Sequence, residues 1–133
     1  AVALSQSFAP GGRDMIPWDN VETHAPDILR RLLDLGIPQG TLVNLNFPRC
    51  SASEVRGISV CSQGKRDAAL LRIEERFDGR HRPYYWIGFQ RQTSAPGAGS
   101  DLAALADNRI SVTPLRIDLT DREAMQKYAG AFA

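Results

Sequence analysis

Few side chains in this 133-residue sequence are spaced for chemistry. Ser100 and Asp101 follow Gly99 at the start of a short helical pattern. Such an arrangement either presents backbone N–H groups to a phosphate or simply caps the helix. Asn44 and Asn46 share one face of a strand pattern, where amides fix a loop or touch a ligand. His24 and His81 stand in a helix-start segment and a hairpin loop, and both read as solvated surface. Asp118 and Arg122 lie four apart at a helix start and read as an exposed ion pair, which stabilises little. Cys50 and Cys61 have no C-x-x-C spacing, so neither a zinc site nor a redox pair is indicated. They read as reduced thiols of a cytoplasmic protein, with Cys61 inside an apolar strand. G-x-S-x-G, G-x-x-x-x-G-K-[ST], G-x-G-x-x-G and H-E-x-x-H motifs are all absent, so no self-contained catalytic motif exists.

One segment has a charge bias. From Ser62 to Gln92, seven cations (Lys65, Arg66, Arg72, Arg76, Arg80, Arg82, Arg91) face four anions (Asp67, Glu74, Glu75, Asp78), an excess of three. Beside Tyr84, Tyr85 and Trp86, that excess suits single-stranded nucleic acid. A solvated ribbon with aromatics at an oligomer interface explains the same residues, and nucleic acid is not the expected partner. The whole chain carries 16 Lys+Arg against 15 Asp+Glu, a net charge of +1. That balance creates no field to hold nucleic acid or an anionic membrane.

The elements that must position these residues follow from periodicity. Residues 1–7 read as a strand, and Pro10-Gly11-Gly12 places a loop over 8–16. Ile28, Leu29, Leu32, Leu33 and Leu35 mark one apolar helix face. Asp19 and Glu22 resemble a capping box, but Pro26 would then fall inside the helix at a cost of about 3 kcal/mol. A start at Thr23 puts Pro26 in the first turn, and Gly36 with Pro38 ends the helix. Thr41 to Phe47 alternates, with Val43, Leu45 and Phe47 inward, and Pro48 closes it. Val55 to Ser62 forms another strand, with Ile58 and Val60 on one face. Residues 70–89 form a hairpin around Asp78-Gly79 with a loop of about six residues. Its aromatics fall on both faces, and a two-stranded ribbon is marginal alone, so another subunit is expected to cover it. A Gly/Pro/Ser-rich loop over 90–100 leads to a helical turn or two at Asp101–Ala106. Arg109 to Leu119 is a strand that Pro114 demotes to an edge or bulge. Thr120 to Glu123 caps a last helix whose apolar face is Met125, Tyr128, Ala129 and Phe132.

Length and composition bound the class. The hydrophobic share of 43% and charged share of 23% exclude a collagen, a disordered tail and a transmembrane protein, and two cysteines exclude a disulfide scaffold. A compact chain of this mass exposes roughly 6,900 Å² against about 21,000 Å² unfolded. A strand beginning at Ala1 leads to the expectation that the chain is a piece of a larger protein.

Several segments together resemble a known family. Asn44-Leu45-Asn46-Phe47-Pro48 followed by Arg56-Gly57-Ile58-Ser59-Val60 is similar to the N-x-N-x-P strand and next strand of the SurE (stationary-phase survival protein E) nucleotidases. Tyr85-Trp86-Ile87-Gly88, Gly99-Ser100-Asp101-Leu102-Ala103-Ala104-Leu105, Ile110-Ser111-Val112-Thr113-Pro114-Leu115 and Asp118-Leu119-Thr120 extend the match in order. The resemblance implies an α/β fold: the C-terminal part of a Rossmann-type fold with an extended β-hairpin arm and a C-terminal helix. In those terms residues 1–61 end the α/β core, 62–92 form the arm, 93–119 the loop and closing strand, and 120–133 the terminal helix. The implied activity is metal-dependent hydrolysis of nucleoside 5′- and 3′-monophosphates, with exopolyphosphatase activity as a further family property. The implied cofactor is one divalent cation, Mg²⁺ or Mn²⁺. Its ligands in the family begin with an Asp-Asp pair, and no Asp-Asp pair occurs here. Neither a metal ligand nor a catalytic residue carries over, and this chain alone is expected to be inactive. Ser100 and Asp101 are the residues the resemblance places nearest a substrate cleft. Phe77, Tyr84, Tyr85, Trp86 and Tyr128 are the expected interface of a homodimer or homotetramer. A cytoplasmic location and no membrane partner complete the expectations. The alternative reading is a non-catalytic oligomerisation module.

Overall fold

The structure, a computed structural model, describes residues 1–8, 15–65, 71–89 and 96–132. The loop expected over 8–16 falls largely outside the described residues, as do Arg66, Asp67 and Arg91 of the basic segment. A four-stranded sheet in the order β1 (Val2–Gln6), β2 (Thr41–Phe47), β6 (Ile110–Arg116), β3 (Ile58–Val60) forms the core, and β4 (Leu71–Phe77) and β5 (Pro83–Phe89) make a separate hairpin. β1 (Val2–Gln6), α1 (Trp18–Leu35) and β2 (Thr41–Phe47) compose a βαβ unit with β1 and β2 parallel. β6 (Ile110–Arg116) runs antiparallel to β2 and parallel to β3 (Ile58–Val60).

The two faces of this sheet differ in chemistry because strand side chains alternate. On one face Val43, Leu45, Phe47, Ile110 and Val112 form a buried core with Ala25 and Ile28 of α1. On the other, Ser5, Asn46, Ser111 and Ser59 stand in one row across all four strands. Asn46 Nδ2 donates to Ser111 Oγ at 3.3 Å within that row. α2 (Asp101–Ala106) packs on β6 and buries Ala104.

α1 starts at Trp18, not at Thr23, so Pro26 lies inside it. Tertiary anchors override the local penalty. Asn20, fully buried, donates from Nδ2 to the Pro48 and Cys50 carbonyls, and Asp19 accepts from the Ala52 N–H. Asp19 therefore caps no turn of its own helix; it holds the 3₁₀ turn Ala52–Glu54 instead. Pro26 cannot donate to the carbonyl of Glu22, and Glu22 is an exposed residue. Leu33 and Leu35 are exposed, not core. Leu33 points off the stripe set by Val21, Ala25, Ile28 and Leu32, and Leu35 is the last helical residue.

The strand expected over 55–62 contracts to Ile58–Val60, because Gly57 takes φ 114° and turns the chain in. Ile58 and Val60 are exposed, and the inward residue of that segment is Cys61. Arg109 closes this edge: Nε donates to Ser59 Oγ at 2.6 Å, and its other nitrogens to the carbonyls of Arg56 and Ile58.

β6 is no edge strand, and it spans Ile110–Arg116 instead of 109–119. The Ile110 N–H donates to Gly57 O, and Val112 O accepts from Cys61 N, so even-numbered residues address β3. Pro114 continues that parity and directs its missing donor to the side where β3 has already ended. A proline is tolerated there because no ladder bond is lost.

β4 (Leu71–Phe77) and β5 (Pro83–Phe89) pair from Leu71↔Phe89 to Phe77↔Pro83, leaving the five-residue loop 78–82. Asp78 Oδ1 accepts from the Arg80 and Arg82 N–H groups, and His81 takes the left-handed φ of 55°. α3 (Arg122–Ala131) is capped by Asp121, one residue later than the Thr120 box predicts, through Asp121 Oδ1 and the Ala124 N–H. Asp118 pairs with Arg122 at 2.6 Å on the surface as expected.

The α1 boundary is open to test. Pro26→Ala should raise stability by about 1–3 kcal/mol in urea unfolding, since it restores an interior helix bond. A start at Thr23 would instead make the change neutral or destabilising.

Candidate functional site

In open α/β sheets, ligands bind beyond the carboxyl ends of the parallel strands. Here that end belongs to β1 and β2, where the amino end of α1 also lies. Gln6 Nε2 donates to Pro48 O at 2.9 Å and Ser7 O at 3.0 Å. Asn20 Nδ2 donates to the same Pro48 O at 2.9 Å and to Cys50 O at 3.2 Å. Two carboxamides thus flank one carbonyl and fix the turn that leaves β2. Their orientation is set by chemistry: a flipped amide would aim its oxygen at carbonyl oxygens. Gln6 Oε1 and Asn20 Oδ1 are buried acceptors without a partner among the described residues.

Among the described residues, this end positions and accepts hydrogen bonds and pairs no nucleophile with a base. Burial pushes the Cys50 thiol up, and Glu54 and then Asp19 push it further, so it stays protonated at neutral pH. His24 is half-buried, not fully solvated, with Nε2 at 3.2 Å from Ala52 O. Glu54 lies below the ordinary carboxylate range because the Ser51 hydroxyl and N–H donate to it.

Ser100 and Asp101 lie at the opposite end of the sheet, beyond the carboxyl end of β3, which runs against β1. Ser100 is buried, and its Oγ accepts from Ala103 N at 3.2 Å and donates to Gly97 O at 2.6 Å. Asp101 Oδ1 accepts from Gly64 N at 2.8 Å and Leu102 N at 2.7 Å. Both side chains are engaged with backbone. Burial raises the Cys61 thiol next to them, with Asp101 adding to the rise and Arg109 opposing it.

The five aromatic interface residues separate into three places. Cross-strand pairs share a face, so Phe77 and Tyr85 join Leu71, Ile73 and Ile87 on one side of the hairpin. Tyr84 and Trp86 lie on the other with Arg72, Glu74 and Arg76. Arg76 stands 5.8 Å over the Trp86 ring, and Glu74 bridges Arg72 and Arg76 at 3.0 and 2.9 Å. Tyr128 borders a shallow apolar groove on α3 with Ala124, Met125, Ala129 and Phe132. All five residues are exposed.

Among the described residues, no three His, Cys, Asp or Glu side chains converge to hold a metal ion. Gln6 and Asn20 carry no sequence signal of this role; Pro48, the end of the N-x-N-x-P segment, is the one residue of the clamp that the sequence marks. No described helix is long and apolar enough to cross a membrane.

The family model for survival protein SurE matches residues 1–69. The chain is 49% identical over 133 residues to the 5′-nucleotidase SurE of Methylobacterium radiotolerans, covering all of this chain and 52% of that protein. It is 53% identical over 131 residues to the 5′-nucleotidase SurE of Beijerinckia indica, covering 97% of this chain and 50% of the relative. The crystal structure of a SurE protein from Aquifex aeolicus matches 99% of this chain and 51% of its own at TM-score 0.73 and 31% identity. The chain spans about half the length of the curated relatives it matches.

The amide clamp makes a direct prediction. Asn20→Asp keeps the shape but turns both donors into acceptors facing two carbonyls. It should cost more than about 3 kcal/mol in urea unfolding; a loss below about 1 kcal/mol would mean the two bonds do not hold α1.

Proposed function

This chain belongs to the SurE family, and on that basis we propose that it is the C-terminal portion of a 5′-nucleotidase that hydrolyses nucleoside monophosphates. The supporting observation is the 49% identity along all 133 residues to a relative named for that activity. In this reading the chain contributes scaffold: the amide clamp at the carboxyl ends of β1 and β2 forms one wall of the substrate cleft. Hydrolysis at the 3′ position and of polyphosphate belongs to the same proposal. So does a cytoplasmic location, which the two free, buried thiols support.

The divalent cation that the family resemblance implies has no fitting donor set among the described side chains. The carboxylates of Asp19, Glu54, Asp78, Asp101, Asp118 and Asp121 each accept from backbone N–H groups. The proposal therefore places Mg²⁺ or Mn²⁺ away from these described side chains, and none of its steps runs through them.

Homo-oligomerisation is the second part of the reading. The chain exposes 10365 Å², about half as much again as the roughly 6,900 Å² of a compact protein of its mass. The exposed apolar residues of the hairpin and α3 are where a second copy would cover it. That surface alone also favours a non-catalytic oligomerisation module.

Two measurements test these readings. The 133-residue chain should release no phosphate from nucleoside 5′-monophosphates with Mg²⁺ or Mn²⁺, whereas a longer protein that includes it should; turnover by the chain alone would contradict the scaffold role. In sedimentation, Phe77→Asp with Trp86→Asp should reduce a dimer or tetramer to a monomer, and an unaltered mass would place the interface elsewhere.

A further inference from the structure

The carboxyl end of β1 and β2 carries more than the amide clamp. Gln6 Nε2 and Asn20 Nδ2 each stand 2.9 Å from the same Pro48 oxygen, so the residues next to them in sequence are brought to one place. Phe8 follows Gln6 by two positions, and just before it the Ser7 N–H donates to Phe47 O at 2.9 Å. Trp18 precedes Asn20 by two positions and opens α1. Both rings are more than half exposed, at 59% and 52%, and Met15 is exposed as well. One exposed apolar side chain is ordinary. Three large ones at the end of a sheet where α/β proteins meet their ligands mark a binding surface.

The charges at this end select what that surface takes. Residues 15–24 and 48–54 contain Asp19, Glu22 and Glu54 against one cation, Arg49. Asp19 and Glu54 are held in place by the Ala52 and Ser51 N–H groups. Gln6 Oε1 and Asn20 Oδ1 add two acceptor oxygens without a partner among the described residues. The field of such a set opposes a phosphate dianion. A planar, uncharged ring meets no such opposition, and it stacks on aromatic faces.

We propose that Trp18, together with Phe8, is the stacking surface for the base of a nucleotide substrate, with the phosphate directed away from it. This inference rests on the nucleotidase reading for the identity of the substrate. Trp18 contributes affinity for the base and touches no reacting atom. Its position follows from its neighbours, because Asp19 and Asn20 fasten the start of α1 to the chain leaving β2.

The test uses the longer protein that includes this chain. Its two substrates are adenosine 5′-monophosphate and ribose 5-phosphate, which keeps the sugar and phosphate without the base. Trp18→Ala should raise KM for the nucleotide about tenfold and KM for ribose 5-phosphate by less than about twofold. Trp18→Phe, which retains an aromatic face, should recover most of that loss. Phe8→Ala should act in the same direction and serves if Trp18→Ala does not fold. KM values that rise together for both substrates would mean that Trp18 supports the fold or a contact with the rest of the longer protein, and would overturn the proposal. So would a nucleotide KM unchanged in both alanine variants. Calorimetric binding of adenosine needs no hydrolysis and so separates this inference from the reading it rests on. Adenosine that binds the parent and binds Trp18→Ala about tenfold more weakly supports the stacking surface even where no phosphate is released. Equal binding by both, or none by the parent, overturns it.

Discussion

The carboxamide of Asn20 decides where the first half of this fold goes. Its two donors hold the carbonyls of Pro48 and Cys50, so the amino end of α1 is fastened to the chain leaving β2. That fastening explains a helix that begins eight residues before a proline. Gln6 reaches the same Pro48 carbonyl from β1. Among the described residues, two neutral amides therefore fix the end of the sheet where an α/β protein meets its ligand, and the Asp19 and Glu54 carboxylates beside them hold backbone N–H groups.

The second organising feature is β6. It is antiparallel to β2 and parallel to β3, so the sheet reverses direction between β2 and β6. The reversal puts the Ser100–Asp101 segment at one end and the amide clamp at the other. Ser5, Asn46, Ser111 and Ser59 cross all four strands on one face, opposite the apolar face under α1. The sheet is thus packed by apolar contact on one side and by small polar groups on the other. The hairpin and α3 add apolar surface that the sheet does not cover.

Most elements were legible in the sequence because their patterns are local. The alternation in Thr41–Phe47, the Gly36 stop, the hairpin and the short helix after Ser100 all follow from spacing within a few residues. Where the reading departs from the structure, distant contacts decide. Local cost argues for a helix start at Thr23, but Asn20 finds its partners 28 and 30 residues away. Pro114 signals an edge, yet the parity of β6 and the shortness of β3 let it sit in an interior strand. The carboxylate of Asp101 reads as a helix-start charge, and only the fold reveals Gly64 beside it. The SurE family was legible because several short motifs occur in order, and none of them alone would carry it. The amide clamp was not legible, since Gln6, Asn20 and Pro48 are far apart in sequence and ordinary in type.

The hairpin arm and the terminal helix leave their apolar faces uncovered by the small core. X-ray scattering on a size-exclusion column, with mass read on the same peak, tests this most directly. The expected result is either more than one chain per particle or a monomer whose radius of gyration clearly exceeds the about 14 Å of a compact chain this long. A monomer at about 14 Å, with arm and helix folded onto the core, would contradict it.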